Sequence, residues 1–164
     1  MRIALSTDHA GFEQLKSLQE FLTAKGYECV NYGPKEFDAD DDYPDFIFPA
    51  AKAVATGECE FGIIMGGSGQ GEAIAANRVK GIRCMTYYGA VLPVGAIDAG
   101  GGEASDEYEI LRLSKQHNNA NMISIGARFV SQEEIEKAVE VWLDETFSGV
   151  ERHARRIKKL DTGQ

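Results

Sequence analysis

Four groups of residues in this chain carry side chains or backbone amides suited to chemistry. The first is Gly66-Gly67-Ser68-Gly69-Gln70-Gly71, a glycine-rich run directly after an apolar stretch, with Glu72 behind it. A strand that turns through such a loop into a helix aims several backbone N–H groups at one point, where an anionic oxygen is stabilised. A plain tight turn needs one or two glycines, not four. Neither the dinucleotide spacing nor the Walker pattern fits, because the third glycine of G-x-G-x-x-G falls on Glu72 and no Gly-Lys-Ser/Thr occurs. Glu72 in a first helical turn either complements the helix dipole or serves as a carboxylate base beside the amide cradle. Asp8-His9 closes the first apolar run, either as a capped turn or as part of the same site. His117-Asn118 ends a helical segment, where imidazole and amide can simply satisfy loose carbonyls. Arg128 follows the last apolar run, and Arg152 and Arg156 lie four apart on one helical face. The arginines form either a solvated basic face or a phosphate clamp.

The elements that must position these groups follow from hydrophobic spacing. Apolar runs at Ile3–Ser6, 27–32, Phe61–Met65, Ile82–Tyr87 and Met122–Ile125 read as strands. Helical spacing over Phe12–Leu22, 45–56, Glu72 onward, Tyr108–Gln116, 132–146 and 151–160 places helices between and after them. Ser131 and Glu134 make a capping box for the fifth of these helices, and Ile157 and Leu160 are expected to dock the last one. Apolar strands alternating with helices predict an α/β, Rossmann-like three-layer sandwich around a five-stranded parallel sheet. Ligands in such sheets bind at the carboxyl ends of the strands. Residues 1–164 read as one domain, with a glycine-rich loop at about 89–107 and a basic helix at the C-terminal end.

Charge and composition narrow the partners. The chain has 164 residues, 43% hydrophobic and 26% charged, with net charge −9. Residues 150–164 carry a net +3, so the rest is strongly acidic. Nucleic acid and anionic membrane are therefore poor partners, whereas a small anion at one basic cluster is a good one. Cys29, Cys59 and Cys84 have no paired spacing, and no signal-peptide layout opens the chain, so a reduced, cytoplasmic protein is expected. The three histidines lack metal-ligand spacing, and the aspartate run 38–42 reads as a solvated acidic loop, so neither metal nor other cofactor is expected.

Taken in order, DHAGFE, Asp42-Tyr43-Pro44, GGSGQGEAIAANRVKGIR, HNNAN, IGAR and ERHARR resemble the ribose-5-phosphate isomerase type B family, which includes galactose-6-phosphate isomerase subunits. The resemblance covers residues 1–88 and 108–160. It implies an aldose–ketose isomerase acting on a phosphorylated sugar, as a homodimer or tetramer with sites shared across the subunit interface. It also carries over roles: His117 as the ring-opening acid/base, Asp8, Tyr43 and Asn118 as hydroxyl-positioning groups, and His9, Arg128, Arg152 and Arg156 as phosphate ligands. Many relatives hold a catalytic cysteine at the position of Gly66. This chain resembles instead the subgroup whose base is a glutamate at the start of the next helix, here Glu72. The mechanism expected is a cis-enediolate one, with amides of Gly67, Gly69 and Gly71 and the Ser68 hydroxyl stabilising the enediolate oxygen. Segment 89–107 exceeds the family's usual connection, and a mobile lid and an inert excursion are equally open readings. Isomerases of galactose 6-phosphate, allose 6-phosphate or a tetrulose phosphate are rival readings, as is a non-catalytic sugar-phosphate sensor.

Overall fold

The computed structural model describes residues 1–162. Five strands, β1 (Arg2–Thr7), β2 (Glu28–Asn31), β3 (Phe61–Gly66), β4 (Cys84–Tyr87) and β5 (Met122–Gly126), form one sheet in the order β2-β1-β3-β5-β4. All four pairings are parallel. Among the described residues six α-helices accompany the sheet: α1 (Phe12–Ala24), α2 (Tyr43–Ala55), α3 (Gln70–Asn77), α4 (Glu109–Asn118), α5 (Gln132–Asp144) and α6 (Glu151–Thr162). The expected α/β sandwich is the fold the chain forms.

Alternation along the central strands explains the layers. Ile3, Leu5, Ile63, Met65, Ile123 and Ile125 point into one core with Leu15, Leu18, Leu111, Ile135 and Trp142 from α1, α4 and α5. Ala4, Ile64 and Met122 point the other way, onto Ile47, Ala50, Ala51, Ala75 and Ala76 of α2 and α3. Strands buried on both faces need no polar side, which is why they read as continuous apolar runs. Small residues on α2 and α3 let those helices sit close to the sheet.

Local signals set several boundaries. Ser131 caps α5 by accepting from the Glu134 amide, while the Glu134 carboxylate accepts hydrogen bonds from the Tyr87 and Tyr108 hydroxyls instead of closing the box. Asn119, at φ 47°, turns the chain out of α4. Several bounds shift by one or two residues: β4 starts at Cys84, not Ile82, α3 starts two residues before Glu72, α2 starts at Tyr43 rather than 45, and α5 ends at Asp144 rather than 146. Leu160 does not dock α6, being 67% exposed; the residue that buries there is His153. Residues 89–107 form neither helix nor strand.

β1 and β3 are neighbours whose outgoing connections depart to opposite sides of the sheet, β1 toward β2 and β3 toward β4. This is the topological switch point, and the crevice outside the ends of these two strands is where such sheets bind ligands.

Candidate active site

The ends of β1, β3 and β5 converge on this crevice. Asp8 follows β1, is buried, and caps the short 3-10 turn His9–Gly11 by accepting from the Ala10 amide at 2.9 Å. Gly67–Gly69 follow β3, and Arg128 follows β5 with its amide bonded to the Gly67 carbonyl. The loop is tied to β5 by the Ser124 hydroxyl, which donates to the Gly69 carbonyl at 2.6 Å. Gly69 sits at φ 72°, a left-handed conformation that costs a residue with a Cβ, and there the chain turns into α3.

Gly66, Gly67 and Gly71 are each covered by a side chain. A methyl group at Gly66 would coincide with the Glu72 carboxylate. One at Gly67 would lie 3.2 Å from the Arg128 guanidinium carbon, and one at Gly71 would lie 2.9 Å from the Tyr43 ring. Glycine is thus required for close approach, and the result is a ring of functional groups around one backbone cradle. The first amides of α3 have no partner within the helix and face an anion of suitable size. Gln70 donates its amide to Ser68 Oγ at 3.3 Å, leaving the Ser68 proton free to donate outward.

Glu72 is only 4% exposed, and burial, with the Asp8 charge nearby, pushes its carboxyl above the ordinary value; His9 pulls the other way. A carboxylate of raised proton affinity beside an amide cradle suits proton abstraction and return. His9 goes up as well, because its Nδ1 donates to Asp41 Oδ1 at 2.7 Å.

Asp41 is a residue that the sequence pattern conceals. Asp38, Asp40 and Asp42 are exposed as a solvated acidic loop should be, but the Asp41 side chain is 5% exposed and holds both the ring and the amide of His9. The sequence offers no signal that singles it out within the run. Asp8, His9 and Asp41 bring three ligand-type atoms within 4.8 Å of one another. His9 Nδ1 is committed to Asp41, so the cluster is first a hydrogen-bonded dyad with Asp8 alongside.

The remaining candidates are elsewhere. His117 and Asn118 end α4 at the amino edge of the sheet, where Arg83, just before β4, donates to the Asn118 and Asn119 carbonyls. At ~3.3 Å per residue, β5 alone separates this edge from the cradle by roughly 13 Å. α6 packs here as well: the His153 ring stacks on His117 with centroids 4.2 Å apart, and Arg152 Nε donates to His153 Nε2. Arg152 and Arg156 are exposed beside it, and Asp98 of the 89–107 segment lies within electrostatic reach of His117 and Arg152. One chain therefore carries two groups on opposite edges. Asp8, His9, Tyr43, Ser68, Glu72 and Arg128 gather at the carboxyl edge; His117, Asn118, Arg152 and Arg156 do not join them.

A parallel α/β sheet with an anion cradle and a buried carboxylate at its switch point is the layout of a small-molecule enzyme that handles an anionic substrate. Comparison with known proteins identifies which. The family described as Ribose/Galactose Isomerase matches residues 3–91 and 102–160. Ribose-5-phosphate isomerase B of Mycobacterium tuberculosis is 36% identical over 160 residues, covering 98% of this chain and 88% of that protein. A solved ribose-5-phosphate isomerase B of Clostridium thermocellum superposes with a TM-score of 0.84 at 33% identity, over 99% of this chain and 96% of the other. That of Mycoplasma genitalium, solved with bound ribulose 5-phosphate, also gives 0.84, at 34% identity over 99% and 95%. The chain belongs to the ribose/galactose isomerase family and is a sugar-phosphate isomerase. Among the described residues, no helix is long and apolar enough to cross a membrane.

Proposed function

We propose that this protein interconverts ribose 5-phosphate and ribulose 5-phosphate through a cis-enediolate, with Glu72 as the base. The observation that carries the assignment is the Glu72 carboxylate lying where a side chain at Gly66 would be. By the resemblance, many relatives carry their catalytic cysteine at this position. Glu72 reaches it from the next helix, and Gly66 keeps it clear.

In the aldose-to-ketose direction Glu72 takes the proton from C2, electrons move into the C1 carbonyl, and the enediolate forms. The same carboxyl returns the proton to C1 as the C2 carbonyl forms. The exchange of oxygen-bound protons along the C1–C2 edge is supported by the Ser68 hydroxyl, and the amides of Gly67, Gly69 and Gly71 stabilise the negative oxygen. His9 and Arg128 bind phosphate from the cradle side, and Asp8 and Tyr43 hold sugar hydroxyls.

His117, Asn118, Arg152 and Arg156 complete the site from a second copy of the chain, His117 opening the furanose ring and the arginines clamping the phosphate. Support for this comes from their position on the opposite edge and from exposed apolar groups beside the cradle. Ile74 on α3 is 57% exposed, and Phe129, edge-on to Tyr88 at 5.7 Å, is 67% exposed. Such groups beside a polar site mark a surface that a partner covers.

The test is conversion of ribose 5-phosphate by wild type and Glu72→Gln with chelator present, alongside four- and six-carbon sugar phosphates. The reading expects metal-independent pentose turnover that falls about 10³-fold in the variant, with substrate binding kept within a few-fold. Full activity in Glu72→Gln would overturn the base, and preference for another sugar would overturn the substrate. Binding without turnover of any of these sugars would favour a sensor.

A further inference from the structure

The Asp41–His9 pair has no part in the proton transfers at C1 and C2, and it is built at a cost. Asp41 is buried, and its Oδ2 has no hydrogen-bond partner among the described residues. A buried carboxylate oxygen left without a donor destabilises a fold, so stability alone gives no reason to bury an aspartate here. What Asp41 does is hold another residue. Its Oδ1 accepts from both the amide of His9, at 3.2 Å, and the ring Nδ1, at 2.7 Å. Two bonds to one oxygen fix the backbone and the imidazole together. With Nδ1 engaged, the remaining donor, Nε2, is the one free to meet a ligand. The Phe37 ring stands edge-on to the imidazole with centroids 6.5 Å apart, restricting its rotation further.

We propose that Asp41 is a positioning residue that holds His9 as an oriented imidazolium, with Nε2 presented to the phosphate group of the substrate. The proposal rests on the reading of His9 as a phosphate ligand. Its physical content is charge as well as direction. A dianion is bound by cations, and an unassisted histidine is mostly neutral at the pH of a working enzyme. The charged groups around His9 are Asp8 in its own turn, Asp41 from the loop before α2, Arg128 after β5, and Glu72 on α3. Asp41 and Asp8 favour the protonated ring, whereas Arg128 opposes it. Without Asp41, Arg128 would act against a second cation beside it, and the phosphate pocket would lose one of its two charges at the cradle. Asp41 therefore lets a histidine and an arginine be cationic side by side.

The experiment uses the intact protein and the fact that it has only three histidines, His9, His117 and His153. The imidazole signals are followed by NMR across pH 5–9 in wild type, Asp41→Asn and the exposed control Asp40→Asn, with His9→Asn to assign the signal. Inorganic phosphate inhibition and steady-state kinetics are measured on the same four proteins. In wild type His9 titrates above 6.5. In Asp41→Asn its pKa falls, so at pH 7.5 the imidazolium fraction drops, and KM and the phosphate inhibition constant rise several-fold. The kcat changes less than about threefold, and the difference between wild type and variant narrows as pH falls toward 6 and His9 gains its proton in both. Asp40→Asn matches wild type throughout. A merely structural role would lower stability without moving the His9 titration or making the KM effect depend on pH. If Asp41→Asn does not fold, the wild-type titration decides, and a His9 pKa at or below 6.5 overturns the proposal. If His9→Asn leaves KM and phosphate inhibition unchanged, the phosphate reading of His9 fails instead. If His9→Asn weakens both and Asp41→Asn weakens neither, that reading stands and the role given to Asp41 fails.

Discussion

The Glu72 carboxylate lies over the Cα of Gly66, in the volume that any side chain at residue 66 would occupy. The two residues are six apart in sequence and sit on β3 and α3, joined by a loop that turns through left-handed Gly69. The position of the proposed base is thus set by an absence of side chain as much as by Glu72 itself. Gly66→Ala is expected to push Glu72 out of place, lowering kcat by ten- to a hundredfold and stability by about 1–3 kcal/mol through overpacking. Steady-state kinetics and thermal melts check both, and an active, stable Gly66→Ala enzyme would contradict the placement.

Burial of Glu72 predicts an acid limb in the rate profile. In the proposed mechanism Glu72 must be ionised, and its proton affinity is raised by burial and by the Asp8 charge, so kcat/KM should fall at a pH above the usual carboxylate range. Linkage has the same origin. Between the unfolded value near 4.3 and the raised folded value, the folded protein binds more protons than the unfolded one, so stability declines as pH rises through that window. Glu72→Gln removes this decline. Melting temperatures of wild type and Glu72→Gln at pH 4, 6 and 8 should diverge in favour of the variant as pH rises.

Two groups on opposite sheet edges predict complementation. Glu72→Gln and His117→Asn are each expected to be nearly inactive as pure proteins. Coexpressed, half of the dimers pair one of each, and each such dimer holds one intact site, so about a quarter of wild-type activity should return. Failure to recover activity from a demonstrated mixed dimer would mean that His117 does not act on a neighbouring chain's Glu72.

Lys115 gives a prediction about stability. It is 1% exposed, with Nζ 3.2 Å from the Phe61 ring centroid and 4.0 Å from that of Trp142. No hydrogen-bond partner reaches it among the described residues, and burial lowers the amine to about 7. From there to the unfolded value near 10.4 the unfolded chain binds more protons, so this residue makes the protein more stable as pH rises. The two ring faces offset part of the desolvation at neutral pH. Lys115→Met should gain about 1–2 kcal/mol at pH 7 and flatten the rise toward pH 9, readable as thermal melts of both proteins.

The elements were legible in the sequence because their signals are local. Apolar runs bounded by glycine, helical spacing, and the Ser131 cap each act within a few residues. Their alternation then demanded a parallel sheet, and a parallel sheet brings the residues after each strand to one edge. Asp8, the glycine loop, Glu72 and Arg128 could therefore be assigned to a common crevice from strand order alone. The resemblance to the isomerase family added roles that spacing could not.

Tertiary structure decided the features that depend on distant parts of the chain. Asp41 differs from Asp40 and Asp42 only because His9, thirty-two residues away, meets it and removes it from water. α6 docks through His153 rather than Leu160 because His117 provides a ring to stack on, a partner no amphipathic pattern names. The separation of His117, Asn118, Arg152 and Arg156 from the cradle comes from the direction of α4, which returns the chain to the amino edge before β5 begins. Sequence by itself determined which residue types stand at each strand end, since periodicity and turn chemistry are written locally. Which of them touch, and which stand apart on the opposite edge, was settled only by packing, where contacts between distant residues set burial, charge and reach.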